Sequence, residues 1–118
     1  MSTQSAPPYL TLEIDRTAAP DLIVVRCRGA LVYGVTDVLS SGVRLLIPHT
    51  KRIILDLGDL TYMDSMGLGT LVRLYASSKA SGCQFDLIHL GKRVKELLAL
   101  TNLLSVFSII GEHSIKPF

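Results

Sequence analysis

Apolar and polar residues alternate at the start of the chain. Leu10, Leu12 and Ile14 stand against Thr11, Glu13 and Asp15, the pattern of a strand with one buried face. Beyond the turn signal Pro20-Asp21, Leu22 to Cys27 is a more continuous apolar run, as in a sheet interior. The period then changes. Val35, Val38, Leu39, Val43 and Leu46 share one helical face, Gly42 on the same stripe offers close packing, and Pro48 stops the helix. Ile53, Ile54, Leu55 and Leu57 read as a short buried strand whose end is punctuated by Gly58 and Asp59. A second helix places Leu68, Leu71, Val72, Tyr75 and Ala76 on one face and stops at Ser81-Gly82. Gln84 to His89 reads as a strand, Val94, Leu97 and Leu98 mark a short amphipathic helix, and a last strand is expected near Val106 to Ile110.

This order, β-β-α-β-α-β-α-β, interposes helices between strands after an initial hairpin. It predicts an α/β fold with a mostly parallel or mixed sheet and helices packed against it. A chain of 118 residues has room for one domain, and 48% hydrophobic residues against 19% charged supply a packed core. The polar, proline-ended stretch 1–8 reads as a flexible N-terminal tail, 9–112 as the domain, and 113–118 as a C-terminal tail.

The formal net charge of +2 is too small, and the basic residues too scattered, to track a phosphate backbone, so direct nucleic-acid binding is not expected. No apolar run reaches the roughly 18 residues that span a bilayer, and Met1 to Pro8 lacks the features of a signal peptide. The sequence thus predicts a cytoplasmic protein without membrane insertion. Cys27 and Cys83 lie on different predicted strands without a Cys or His at metal spacing and read as buried thiols.

Enzymatic constellations are missing rather than polar residues. His49, His89 and His113 have no metal-spaced companions, Gly67-x-Gly69 is too short for a dinucleotide fingerprint, and Ser65 lies outside a Gly-x-Ser-x-Gly elbow with no identifiable histidine to activate it. No enzyme, cofactor or metal is expected. What the pattern does deliver is one serine at the junction of a buried strand and a helix. Asp64 or Ser65 can cap that helix, and a hydroxyl placed there can meet a partner.

The run Asp56-Leu57-Gly58-Asp59-Leu60, then Met63-Asp64-Ser65-Met66-Gly67-Leu68-Gly69, resembles the central motif of STAS domains, and within them of bacterial anti-sigma factor antagonists. The flanking elements from about Leu10 to Ile110 follow the same order. The resemblance implies a phosphoprotein in a partner-switching circuit of transcription regulation. The unmodified form would bind an anti-sigma factor serine kinase and free a sigma factor, phosphorylation of Ser65 would end the contact, and a phosphatase would reset it. Asp64, Met66 and Gly67 would shape the contact, with Tyr33 a neighbour from the preceding strand-helix loop. Met63 and Leu68 are further candidates for the apolar rim, though Leu68 also fits the core stripe. A homodimer is left open.

Two departures from the family pattern bear on recognition. Where relatives often carry Gly-Glu-Leu-Asp after the second strand, this chain has Gly29-Ala30-Leu31-Val32, so both acidic positions are apolar. Met66 stands where a second hydroxyl residue is common. A kinase surface that is basic would lose its partners here, which points toward an apolar, tyrosine-containing contact. The rival expectations are a non-switching STAS scaffold, a cytosolic accessory subunit of a membrane transporter, and a small-ligand regulatory domain.

Overall fold

The computed structural model describes residues 9–103 and the backbone of 108–110. The proposed tails 1–8 and 113–118, and Val106 and Phe107 of the expected last strand, lie outside the described residues. Five strands form one sheet in chain order: β1 (Leu10–Ala19), β2 (Leu22–Leu31), β3 (Arg52–Met63), β4 (Gln84–Ile88) and β5 (Ser108–Ile110). β1 runs antiparallel to β2, and the remaining neighbours are parallel, so the sheet is mixed as expected. Helices α1 (Thr36–Leu46), α2 (Ser65–Ala80) and α3 (Lys92–Leu100) make the crossovers.

One face of the sheet builds the core. Ile23, Val25 and Cys27 of β2, Ile53, Leu55 and Leu57 of β3, and Phe85 and Leu87 of β4 join Leu39 and Val43 of α1, Leu71 and Leu74 of α2, and Val94 and Leu98 of α3 in a single buried cluster. The alternate strand positions carry charge. Arg26 lies 3.8 Å from Asp15 and 3.7 Å from Asp56, Asp56 also meets His89 Nδ1 at 2.9 Å, and the buried Asp86 accepts from Arg52 Nε at 2.7 Å. These contacts tie neighbouring strands together on the face opposite the helices.

One close helix-sheet contact is where the sequence places it. A Cβ at Gly42 would lie 2.7 Å from Leu12 Cδ1, so the glycine lets α1 settle onto β1. Two helical stripes differ from expectation. Val38 is exposed, and α1 turns Leu39, Val43 and Leu46 inward instead. In α2 the buried line is Gly67, Leu71, Leu74 and Ser78, with Leu68 and Thr70 beside it, while Ala76 is exposed and Val72 and Tyr75 are only partly covered. α2 packs against α1, β3, β4 and α3, and this wide demand outweighs the moment of its own apolar residues. Pro48 falls in a single 3-10 turn, Ile47–His49, that follows α1.

The largest correction concerns β3, which does not stop at Gly58-Asp59 but continues to Met63. Its pairing with β2 slips twice, between Arg26 and Arg28 and again between Gly29 and Ala30. Each slip inserts one residue in β3 and reverses which face the next side chain takes. Inward positions therefore change from alternation at Ile53, Leu55 and Leu57 to every third residue at Leu57, Leu60 and Met63. An inward spacing of three looks like the end of a strand when only alternation is sought. The Asp56 carboxylate takes the Gly58 N–H at 2.9 Å, and the Thr61 hydroxyl donates to the Gly29 carbonyl at 3.0 Å, so each irregularity has its own side-chain hydrogen bond.

Candidate functional site

β2 and β3 end side by side, Leu31 paired with Met63, and from these ends the chain leaves into the loop before α1 and into α2. Met63 and Leu31 are wholly buried, which anchors both exits. Asp64 follows with extended backbone, φ −108° and ψ −175°, and is the N-cap of α2. Its Oδ1 accepts the N–H groups of Met66 and Gly67, each at 3.0 Å, and its Oδ2 accepts the N–H of Tyr33 at 3.0 Å. Asp64 rather than Ser65 is thus the cap, and a single carboxylate joins the helix start to the neighbouring loop.

Burial works to raise the Asp64 pKa, but the N–H groups of Tyr33, Gly67 and Met66 outweigh it and hold the carboxyl below its ordinary value. The cap stays ionised at neutral pH. Its charge also sits where the positive end of the α2 dipole favours it.

Ser65 is the first residue of α2 and is exposed. Among the described residues its hydroxyl has no hydrogen-bond partner, and His89 Nδ1 is engaged with Asp56. Met66 (48% exposed) and Tyr33 (74% exposed) stand at the rim on either side of the cap. The structure brings the Tyr33 backbone to Asp64. Gly67 is different. It is buried, and a Cβ there would strike the Leu31 carbonyl oxygen and lie 2.8 Å from Leu31 Cγ and 2.9 Å from Met63 Cγ. The close approach it permits is internal, between α2 and the end of β2, so it contributes to a contact only by seating the helix. Met63 and Leu68, considered for the rim, belong to the core.

Two exposed residues at this end escape a reading of the sequence. Tyr62, 47% exposed, precedes the buried Met63, and Arg93 of α3 lies over its ring at 5.0 Å from the centroid while donating to its hydroxyl at 3.2 Å. β4 pairs with β3 only as far as Asp56, so among the described residues the remainder of β3 has no strand on that side, and α3 comes against β3. Nothing local in the sequence pairs residues so distant. Only the unusual spacing of Leu57, Leu60 and Met63 hints that Tyr62 lies on a strand.

The cysteines are not available for chemistry at this end. Burial, with the Asp56 charge adding to it, pushes the Cys27 thiol up to about 12, and burial also raises Cys83. Among the described residues no three His, Cys, Asp or Glu side chains are grouped to hold a metal ion, and no helix is long and apolar enough to cross a membrane.

Comparison with known proteins agrees with this architecture. The family model for the STAS domain matches residues 13–114. An anti-sigma factor antagonist from Mycobacterium paratuberculosis superposes with a TM-score of 0.79 at 19% identity, covering 93% of this chain and 92% of that one. The Bacillus cell fate determinant SpoIIAA in its phosphorylated form gives 0.67 at 16% identity, covering 86% and 93%. A sulfate transporter family protein from Wolinella succinogenes gives 0.66 at 21% identity, covering 77% and 75%. At these identities the likeness to the solved structures is one of fold.

Proposed function

Because the chain belongs to the STAS domain family, we propose that it is an anti-sigma factor antagonist, a binding protein without catalysis that docks an anti-sigma factor kinase through the start of α2. Phosphorylation of Ser65 by that kinase ends the contact, and a phosphatase restores it. The observation that carries this reading is the exposed Ser65 hydroxyl, without a hydrogen-bond partner among the described residues, beside an N-cap carboxylate that already occupies the Met66 and Gly67 N–H groups.

That occupancy decides how a phosphate would behave. A phosphoserine brings about −1.5 to −2 charges and usually draws on free N–H groups at a helix start. Here two of them are held by Asp64, which is itself anionic. The phosphate would therefore remain in solvent beside a like charge instead of being drawn into the fold. The domain keeps its shape and the message lies in the surface, because a partner closing over Ser65 would have to desolvate two neighbouring anions. A penalty of about 3 kcal/mol reduces affinity roughly 100-fold.

The test is affinity capture from host lysate with wild-type, Ser65→Ala and Ser65→Asp baits, followed by incubation of the retained kinase with ATP. An anti-sigma kinase retained by wild type and Ser65→Ala but not by Ser65→Asp, and phosphate incorporated into wild type alone, are the expected results. The likeness of fold to a transporter family protein supports a second reading, a STAS domain docked permanently to a larger assembly. Equal retention of transporter or scaffold subunits by all three baits would establish that reading and sink the switch.

A further inference from the structure

Arg93 is exposed and basic, yet none of the ion pairs among the described residues includes it. Its guanidinium is instead laid on the Tyr62 ring and bonded to the Tyr62 hydroxyl. Beyond the stacking and one donated N–H, the guanidinium's other donors have no partner among the described residues, and their planar fork fits a carboxylate. Helix stability does not account for the position. Lys92 and Arg93 open α3 with no acidic residue in the first turn and no side-chain cap, where the dipole disfavours cations by about 0.3–1 kcal/mol each.

The surroundings are those of an interface centre. Tyr62 pairs in register with Ala30, Tyr33 follows three residues after Ala30 with its N–H on Asp64, and Met66 is the second residue of α2, next to Ser65. Tyr62, Tyr33 and Met66 are each close to half exposed or more. Tyr and Arg are the residue types that dominate binding energy at interfaces, and a side chain already held in place loses little freedom on docking. Apolar rings beside a pre-positioned guanidinium call for a partner with the opposite layout.

Resting on the reading of Ser65 as a partner-facing switch, we propose that Tyr62 and Arg93 are specificity-determining contacts of that same surface, and that the kinase presents a carboxylate to Arg93 next to an apolar recess that takes the Tyr33 and Tyr62 rings. Charge complementarity selects this occupant. The unmodified surface thus offers a cation at one edge, and phosphorylation places a dianion beside the rings that the recess must cover.

The probe is the purified anti-sigma kinase from the same organism, titrated with wild type and with Ser65→Asp, Tyr62→Ala, Arg93→Glu and Arg93→Lys by calorimetry at two salt concentrations. Arg93→Glu is expected to weaken binding at least tenfold and to flatten its salt dependence. Tyr62→Ala should weaken it about tenfold, and Arg93→Lys by less, since an ammonium keeps the charge but not the fork. Both positions are exposed, and thermal melts like that of wild type would show that the variants fold. Binding of Arg93→Glu and Tyr62→Ala at wild-type strength, with Ser65→Asp weakened, overturns this inference and leaves the switch standing. Weakening by Arg93→Glu with Ser65→Asp unaffected upholds the surface and overturns the switch. No binding by wild type at all overturns both.

Discussion

The first turns of α2 and α3 lie at the same end of the sheet and are built in opposite ways. α2 has an aspartate at its N-cap that takes two of its own N–H groups and one from the neighbouring loop. α3 has Gly91 at its N-cap, no side-chain cap, and two cations in its first turn. One start is satisfied and rigid, the other electrostatically incomplete. Geometry is fixed at the start of α2, whereas charge is left unbalanced at the start of α3.

The sharpest way to break the satisfied start is Gly67→Ala. The added methyl would meet the Leu31 carbonyl, a backbone atom that cannot swing aside, and the expected loss is about 1–3 kcal/mol in urea denaturation. A stability within a few tenths of wild type would show that α2 is free to shift away from β2. Asp64→Ala should have the next largest effect, about 1 kcal/mol, the usual worth of an N-cap. It should also speed amide exchange at Tyr33, which a mere cap would not do. Exchange at Tyr33 unchanged from wild type would show that the loop does not depend on the carboxylate.

The incomplete start can be repaired instead. Gly91 has extended backbone, φ −80° and ψ 174°, and a Cβ there meets nothing within 4 Å, so Gly91→Asp is sterically free. It should stabilise by roughly 0.5 kcal/mol through capping and reduced freedom of the unfolded chain. On the proposed function, the same change would neutralise part of the charge beside Arg93 and so weaken binding of the proposed kinase. A variant that gains both stability and affinity would contradict the contrast between the two helices. The smallest effect is in acid. Because the folded pKa of Asp64 lies below its ordinary value of 3.8, its contribution is fully present above that value and is lost as pH falls through the lower folded one. Amide protection of Tyr33, Met66 and Gly67 should therefore fall together below about pH 4, the ordinary carboxylate range, with no matching step at the start of α3.

The strand and helix order was legible because each element has a clear period. Gly42 was legible because a glycine weakens a helix, and on an apolar stripe that cost is offset where a neighbouring element needs the space. Ser65 could be located from the strand-to-helix change, but not which residue caps the helix, since Asp64 and Ser65 are both good caps. The orientation of the Asp64 carboxylate settles that point, and it depends on a loop some thirty positions earlier. Val38, Ala76 and the end of β3 were misread for a related reason. In each case the inward face is chosen by neighbours distant in sequence, not by local periodicity. Tyr62 and Arg93 were invisible for the same reason, being brought together only because β4 is shorter than β3.

The two slips in β3 also bear on how the chain can change in evolution. Each reverses the inward and outward sides, and together they cancel, so Met63 faces the core as Leu55 does. Deletion of one residue between Gly58 and Thr61 would remove one slip and leave Met63 opposite Leu31, still facing the core. The extra residues are therefore the places where β3 can shorten without losing its anchor.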